Sequence, residues 1–180
     1  FFDRRFSYEF VFSPNIKPIS LPPANIGPWT WKLWFDYQIP KALDKIKADI
    51  FVSPDGFLSL KTELPQHLVM HDISFVHNPQ DFKPRRRRYF ENTYPLFPSK
   101  ATRIATVSEY SSNDISKTFK LPHDDIDIVY NGVSSVFTPL TDAEQTIVKT
   151  KYTQGCDFFV FVGTVSQPRK NLARLLRAFD

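Results

Sequence analysis

Residues 157–180 read DFFVFVGTVSQPRKNLARLLRAFD, and the succession of patterns in them decides the fold class. Phe158 to Val162 is an unbroken aromatic and β-branched run, the composition of a strand buried on both faces of a parallel sheet. Gly163 ends the run, and a short polar loop carrying Arg169 and Lys170 follows. Leu172, Leu175, Leu176 and Phe179 then recur at helical spacing, with Arg174 and Arg177 off the stripe. The spacing predicts strand, loop, helix. In open α/β sheets, ligands gather at the carboxyl ends of strands, where helix starts present free N–H groups to anions. Two cations in such a loop point to a phosphate-bearing ligand. A solvated basic loop is the alternative, and this segment alone leaves both open.

Working outward, the same alternation recurs upstream. Thr141-Asp142-Ala143-Glu144 has a capping-box pattern and opens a helix to about Tyr152. Ile126 to Tyr130 reads as a strand ending at Asn131-Gly132, where a positive φ would let the chain turn sharply. Arg103 to Val107 is another strand. Ser108 follows as an N-cap, with Glu109 in the first turn of a helix to about Phe119. His67 to Asp72 is a strand that delivers His71 and Asp72 to its carboxyl end. Neighbouring side chains on a regular strand point to opposite faces, so one of the pair faces a cleft while the other caps the next loop. Asp49 to Pro54 is a strand stopped by the turn Pro54-Asp55-Gly56. Residues 1–21 read as short extended segments. Pro28 opens a helix through Ala42 that Pro40 kinks or divides. Its Trp29, Trp31 and Trp34 fit either an aromatic face packed on a sheet or an interfacial membrane anchor. Strands alternating with helices imply a largely parallel sheet: an α/β chain.

Apolar residues at 42% and charged residues at 23% are ordinary for a globular protein, while 18 Phe imply bulky core strands. The net charge of +4 favours anionic partners without singling out nucleic acid, for which no recognition element is present. The single cysteine, Cys156, excludes an intramolecular disulfide framework and a multi-cysteine metal site. No apolar run approaches the ~20 residues of a membrane span. Arg85, Arg86, Arg87 and Arg88 open a helix to about Phe97, and four consecutive charges cannot share one helical face. They read as a solvated basic helix or as a patch for anionic lipid or a phosphate-linked acceptor.

Taken together, four stretches resemble glycosyltransferase family 4: LVMHDISF (68–75), RIATVSEYS (103–111), IVYNGV (128–133), and FVFVGT (159–164) followed by PRKNL (168–172). Trp34-Phe35-Asp36 and Ser53-Pro54-Asp55-Gly56-Phe57 also look like that family's acceptor domain. The resemblance implies a GT-B fold of two Rossmann-like domains. Residues 1–138 would form the acceptor-side domain, and 139–180 a linker helix with the first strand and helix of the nucleotide-sugar domain. It implies retaining sugar transfer from a nucleotide-sugar to a glycan or lipid-linked acceptor, without a metal or other cofactor. It places Arg169, Lys170 and Gly163 at the donor diphosphate, His71 at the transferred sugar, and Asp72, Ser108, Glu109, Asn131 and Gly132 on the acceptor side or cleft. It also implies a cytoplasmic protein, peripheral at the inner membrane face through Arg85 to Arg88.

Thr164 stands where many members carry an Arg, so one phosphate contact is expected to be missing. The family's downstream acidic motif and its early glycine-rich loop fall outside 1–180, so the chain is expected to be an inactive fragment. The uncovered apolar surfaces of 158–179 then predict a dimer, or packing of that unit on the first domain. A non-catalytic module that binds a glycan or lipid intermediate is the alternative from a different class.

Overall fold

A computed structural model describes residues 1–3, 7–165 and 167–179. Residues 4–6, within the stretch read as short extended segments, and residues 166 and 180 lie outside the description. The chain divides into two compact units, 1–131 and 132–180.

The first unit is built on four parallel strands in the order β1 (Phe51–Ser53), β2 (Gln66–Val69), β3 (Arg103–Thr106) and β4 (Ile126–Ile128). The register pairs Val52 with His67, Leu68 with Ile104, and Ile104 with Ile126. Parallel neighbours need crossovers. Helices α3 (Ser74–His77) and α4 (Pro84–Thr93) connect β2 to β3, and α5 (Glu109–Phe119) connects β3 to β4. β1 reaches β2 without a helix, through residues 54–65. Because every strand runs the same way, all four carboxyl ends lie on one edge of the sheet.

Leu68, Met70, Ile104, Ile115, Ile126 and Phe97 form the core of this sheet, each at most 5% exposed. A second cluster, Trp34, Phe35, Ile39, Leu43 and Phe51, lies beside β1. Phe57 joins the two, stacking on Phe35 at 5.2 Å and meeting Tyr94 edge-on at 6.0 Å. Trp31 stacks on Phe90 at 5.6 Å. Two of the three Trp rings, Trp31 and Trp34, are therefore core, and only Trp29 is exposed. No helix among the described residues is long and apolar enough to cross a membrane.

Pro40 divides its helix through a specific device. α1 (Pro28–Leu33) widens into a π-helical segment (Trp34–Gln38) before α2 (Ile39–Ile46). The Ile39 N–H reaches back to the Trp34 carbonyl, so Pro40 falls in the first turn of α2, where a missing N–H is tolerated. Buried Asp36 sits on this wide segment.

In the second unit, α6 (Asp142–Thr153) begins with the expected capping box. The Thr141 hydroxyl accepts from the Glu144 N–H, and the Thr141 N–H donates to the Glu144 carboxylate at 2.8 Å. α7 (Leu172–Phe179) is also present. The strand expected over 158–162 is not. Those residues are unpaired, with Phe159 86% and Val162 91% exposed. The physical reason is the ladder: a parallel strand exists only beside another strand, and the described residues of this unit contain none. A further correction concerns Asn131-Gly132, neither of which has a positive φ. The chain leaves β4 in an open irregular segment there rather than a tight turn.

Candidate functional site

The carboxyl edge of the sheet is supplied by four loops, one after each strand. The loop after β2 carries His71 and Asp72. Regular pairing of β2 stops at Val69, although the Met70 N–H still donates to the Ala105 carbonyl at 2.8 Å. His71 and Asp72 thus lie just beyond the strand and diverge in role. Asp72 accepts the Ser74 N–H at 2.8 Å, which starts α3. His71 is exposed, with Nε2 at 2.8 Å from the Pro54 carbonyl oxygen in the loop after β1. A carbonyl oxygen only accepts, so in this contact Nε2 carries a proton and donates.

Gly56 makes that neighbourhood possible. Its φ of +79° is a left-handed conformation, and a Cβ there would stand 2.9 Å from the Tyr94 hydroxyl. Tyr94 is nearly buried. Burial pushes its phenol up, and the charges of Asp72 and Tyr89 add to the effect, so Tyr94 stays neutral beneath the edge.

The loop after β3 is the start of α5. Ser108 caps it, accepting the Ser111 N–H at 3.1 Å, and Glu109 occupies the first turn. Tyr130, after β4, donates its hydroxyl to Glu109 at 3.3 Å. The Glu109 charge raises the Tyr130 phenol above its ordinary value. Asn131 and Gly132 continue from Tyr130, both exposed. The structure therefore brings His71 against Pro54, and Glu109 against Tyr130, at one sheet edge. Pro54 and Tyr130 lie in stretches the sequence singled out, but their partner roles did not show there, because a backbone carbonyl and a surface phenol carry no signal of what they meet. Thr106 and Ser112, at the end of β3 and in α5, also escaped notice; their buried hydroxyls have no hydrogen-bond partner.

The remaining candidates lie in the second unit. Arg169 and Lys170 form a single exposed turn, Pro168–Lys170, directly before Asn171 and α7. Among the described residues neither has an ion-pair partner. Gly163 lies upstream, packed on its own neighbour: a Cβ would stand 3.0 Å from the Phe161 ring. On α4, the four arginines are exposed but not equivalent. Arg86 lies over the Trp31 ring at 5.4 Å, and Arg87 pairs with Glu91 at 2.7 Å. His77 pairs with Asp114 at 2.8 Å, and His123 meets Asn113 at 3.1 Å, so both are engaged away from the strand ends.

A parallel α/β sheet with polar groups along its carboxyl edge defines a Rossmann-like ligand-binding domain. The family model for glycosyltransferase family 4 matches residues 3–136, nearly all of the first unit. The chain belongs to glycosyltransferase family 4. It is 33% identical over 142 residues to the O-antigen chain mannosyltransferase B of Escherichia coli. That match covers 77% of this chain and 36% of the relative, so the chain spans well under half of the relative's length. No solved structure gives a significant match.

Proposed function

We propose that the chain contributes the acceptor-side domain, residues 1–138, and the start of the nucleotide-sugar domain, residues 139–180, of a retaining glycosyltransferase in polysaccharide assembly. The observation that carries this reading is the carboxyl edge of the family-4 sheet, where His71 and Glu109 are exposed on neighbouring loops. In the proposed reaction, an acceptor hydroxyl oxygen bonds to the anomeric carbon of the donor sugar. The bond from that carbon to the diphosphate oxygen breaks, and the hydroxyl proton goes to the departing diphosphate. The acceptor is a glycan or lipid-linked saccharide. The His71 Nδ1 accepts from a sugar hydroxyl, with Asp72, Ser108, Glu109, Asn131 and Gly132 lining the cleft.

Arg169 and Lys170 offset the charge that builds on the leaving diphosphate, without a resident metal or other cofactor, and Gly163 admits the phosphates close to the backbone. The relative's name, a mannosyltransferase, supports a hexose donor. The protein works in the cytoplasm at the inner membrane face, with Arg85, Arg86, Arg87 and Arg88 toward anionic lipid. Two copies associate through the exposed apolar residues of 158–179.

The test is a chimera in which this chain replaces the corresponding stretch of the Escherichia coli relative. It is titrated calorimetrically with nucleoside diphosphates and their sugar conjugates, mannose donors first. Lys170→Ala is expected to weaken donor binding about 10-fold, the size of one lost charge-assisted contact. Unchanged affinity would remove Lys170 from the donor site.

A further inference from the structure

Four adjacent arginines on α4 look alike in sequence, and the structure separates them into two pairs. Arg86 and Arg87, though exposed, are engaged by other side chains of the protein, Trp31 and Glu91. Arg85 and Arg88 have no ion-pair or hydrogen-bond partner among the described residues, and both line one recess of about 440 Å³. The recess lies between α4 and the widened helix that carries Asp36. Arg85, Arg88, Tyr89 and Asn92 follow the i, i+3, i+4, i+7 spacing that puts side chains on one helical face. Lys32 faces them from α1.

Asp36 also lines the recess, and a free carboxylate there would repel an anion. It is not free. Asp36 is 5% exposed, and its two oxygens are taken by the Leu60 N–H at 2.8 Å and the Lys32 ammonium at 2.8 Å. With Asp36 balanced by Lys32, the recess keeps the two charges of Arg85 and Arg88. Arg85 also stands in the first turn of α4, where the helix dipole favours an anion. Two guanidinium groups one turn apart present donors suited to phosphate oxygens. The Asn92 carboxamide and the Tyr89 phenol supply neutral polar groups beside them. Burial and the Asp36 charge hold Tyr89 protonated, hence a donor.

We infer that the recess between α1 and α4 is a phosphate-ester site, with Arg85 and Arg88 as its anion-binding pair. It lies on the first unit and is a different site from the Arg169–Lys170 loop. The phosphate ester comes from a soluble sugar phosphate or from the headgroup of an anionic lipid. Only the second source rests on the membrane contact proposed above, which it narrows from four arginines to two.

Two arms separate these cases. In the first, the 180-residue chain is titrated at low ionic strength with inorganic phosphate and with glycerol 1-phosphate. Arginine Nε–H and Asn92 side-chain resonances are followed by NMR. Saturable binding is expected, with Arg85 and Arg88 shifting while Arg86 and Arg87 do not. The R85Q/R88Q variant should bind at least about 10-fold more weakly, while the charge-matched R86Q/R87Q variant stays within about 2-fold of the parent. In the second arm, sedimentation with vesicles of phosphatidylglycerol in phosphatidylcholine compares the parent with R85Q/R88Q. Vesicle binding lost in R85Q/R88Q assigns the ester to a lipid headgroup; phosphate binding without vesicle binding assigns it to a soluble ester. Absence of saturable phosphate binding, or equal loss in the two double variants, overturns the site. The first arm does so even if vesicles still bind, so the wider membrane reading stands or falls separately.

Discussion

Gln66 opens β2 at 1% exposure, and its carboxamide meets the backbone of Ser59 twice. Oε1 accepts the Ser59 N–H at 3.0 Å, and Nε2 donates to the Ser59 carbonyl at 2.9 Å. Ser59 is itself 0% exposed, so no water can replace either bond. Gln66→Leu keeps the approximate volume and removes both partners. A buried backbone group left unpaired costs about 1–3 kcal/mol, so two of them cost ~2–5 kcal/mol after the small gain from added apolar burial. For a unit of this size that lowers Tm by roughly 8–20 °C. Trp fluorescence is the suitable probe, because Trp29, Trp31 and Trp34 are the only Trp and all lie in the first unit.

Gln66→Glu sharpens the test. A protonated Glu offers one O–H donor and one carbonyl acceptor, matching the Ser59 pair, whereas the carboxylate faces the Ser59 carbonyl in a buried site. The folded-state pKa of the new group is therefore raised above its unfolded value of about 4.3. Its stability is near that of the parent below that value and falls as pH rises through the folded pKa. A Q66L loss under ~0.5 kcal/mol, or a Q66E stability independent of pH, would refute the reasoning.

Three further outcomes are expected. Gly56→Ala places a Cβ at φ +79° and 2.9 Å from the Tyr94 hydroxyl, so its urea midpoint should fall by the equivalent of about 2 kcal/mol. The Arg103 guanidinium holds Asp127 below the usual carboxylate range. That exposed pair adds a small stability above about pH 4 that fades as pH falls through the depressed pKa, and Asp127→Asn should remove this part of the acid slope in urea titrations. Sedimentation velocity should find a dimer that Phe159→Asp with Val162→Asp dissociates; a monomer at all concentrations would reject association through 158–179.

The first unit was legible in the sequence because its signals are local and agree with one another. Four apolar runs of strand length stand among helix patterns, and Ser108 announces the start of α5 through its own cap bond, as Thr141 does for α6 in the second unit. The run at 158–162 carries an equally strong strand pattern and forms no strand, because pairing depends on a neighbour that composition cannot supply. The positions of the candidate residues in the fold were legible to the same degree. His71, Asp72, Ser108 and Glu109 were marked by their place at strand ends. Their actual partners, the Pro54 carbonyl and the Tyr130 hydroxyl, come from other strands and leave no trace in local spacing. The division of the four arginines on α4 is hidden for the same reason, since Trp31 and the recess beside Asp36 lie on distant segments.

The most direct test of the central claim is sugar transfer by the chimera with the Escherichia coli relative, first shown to fold and to bind a nucleotide-sugar. Incorporation of the donor sugar into a glycan or lipid-linked acceptor is expected, with an axial or equatorial outcome matching the donor anomer by NMR. A loss of about 10-fold is also expected for His71→Ala, the size of one lost hydrogen bond to the sugar. A folded chimera that binds the donor and transfers nothing, or one that transfers equally well with His71→Ala, would contradict the central claim.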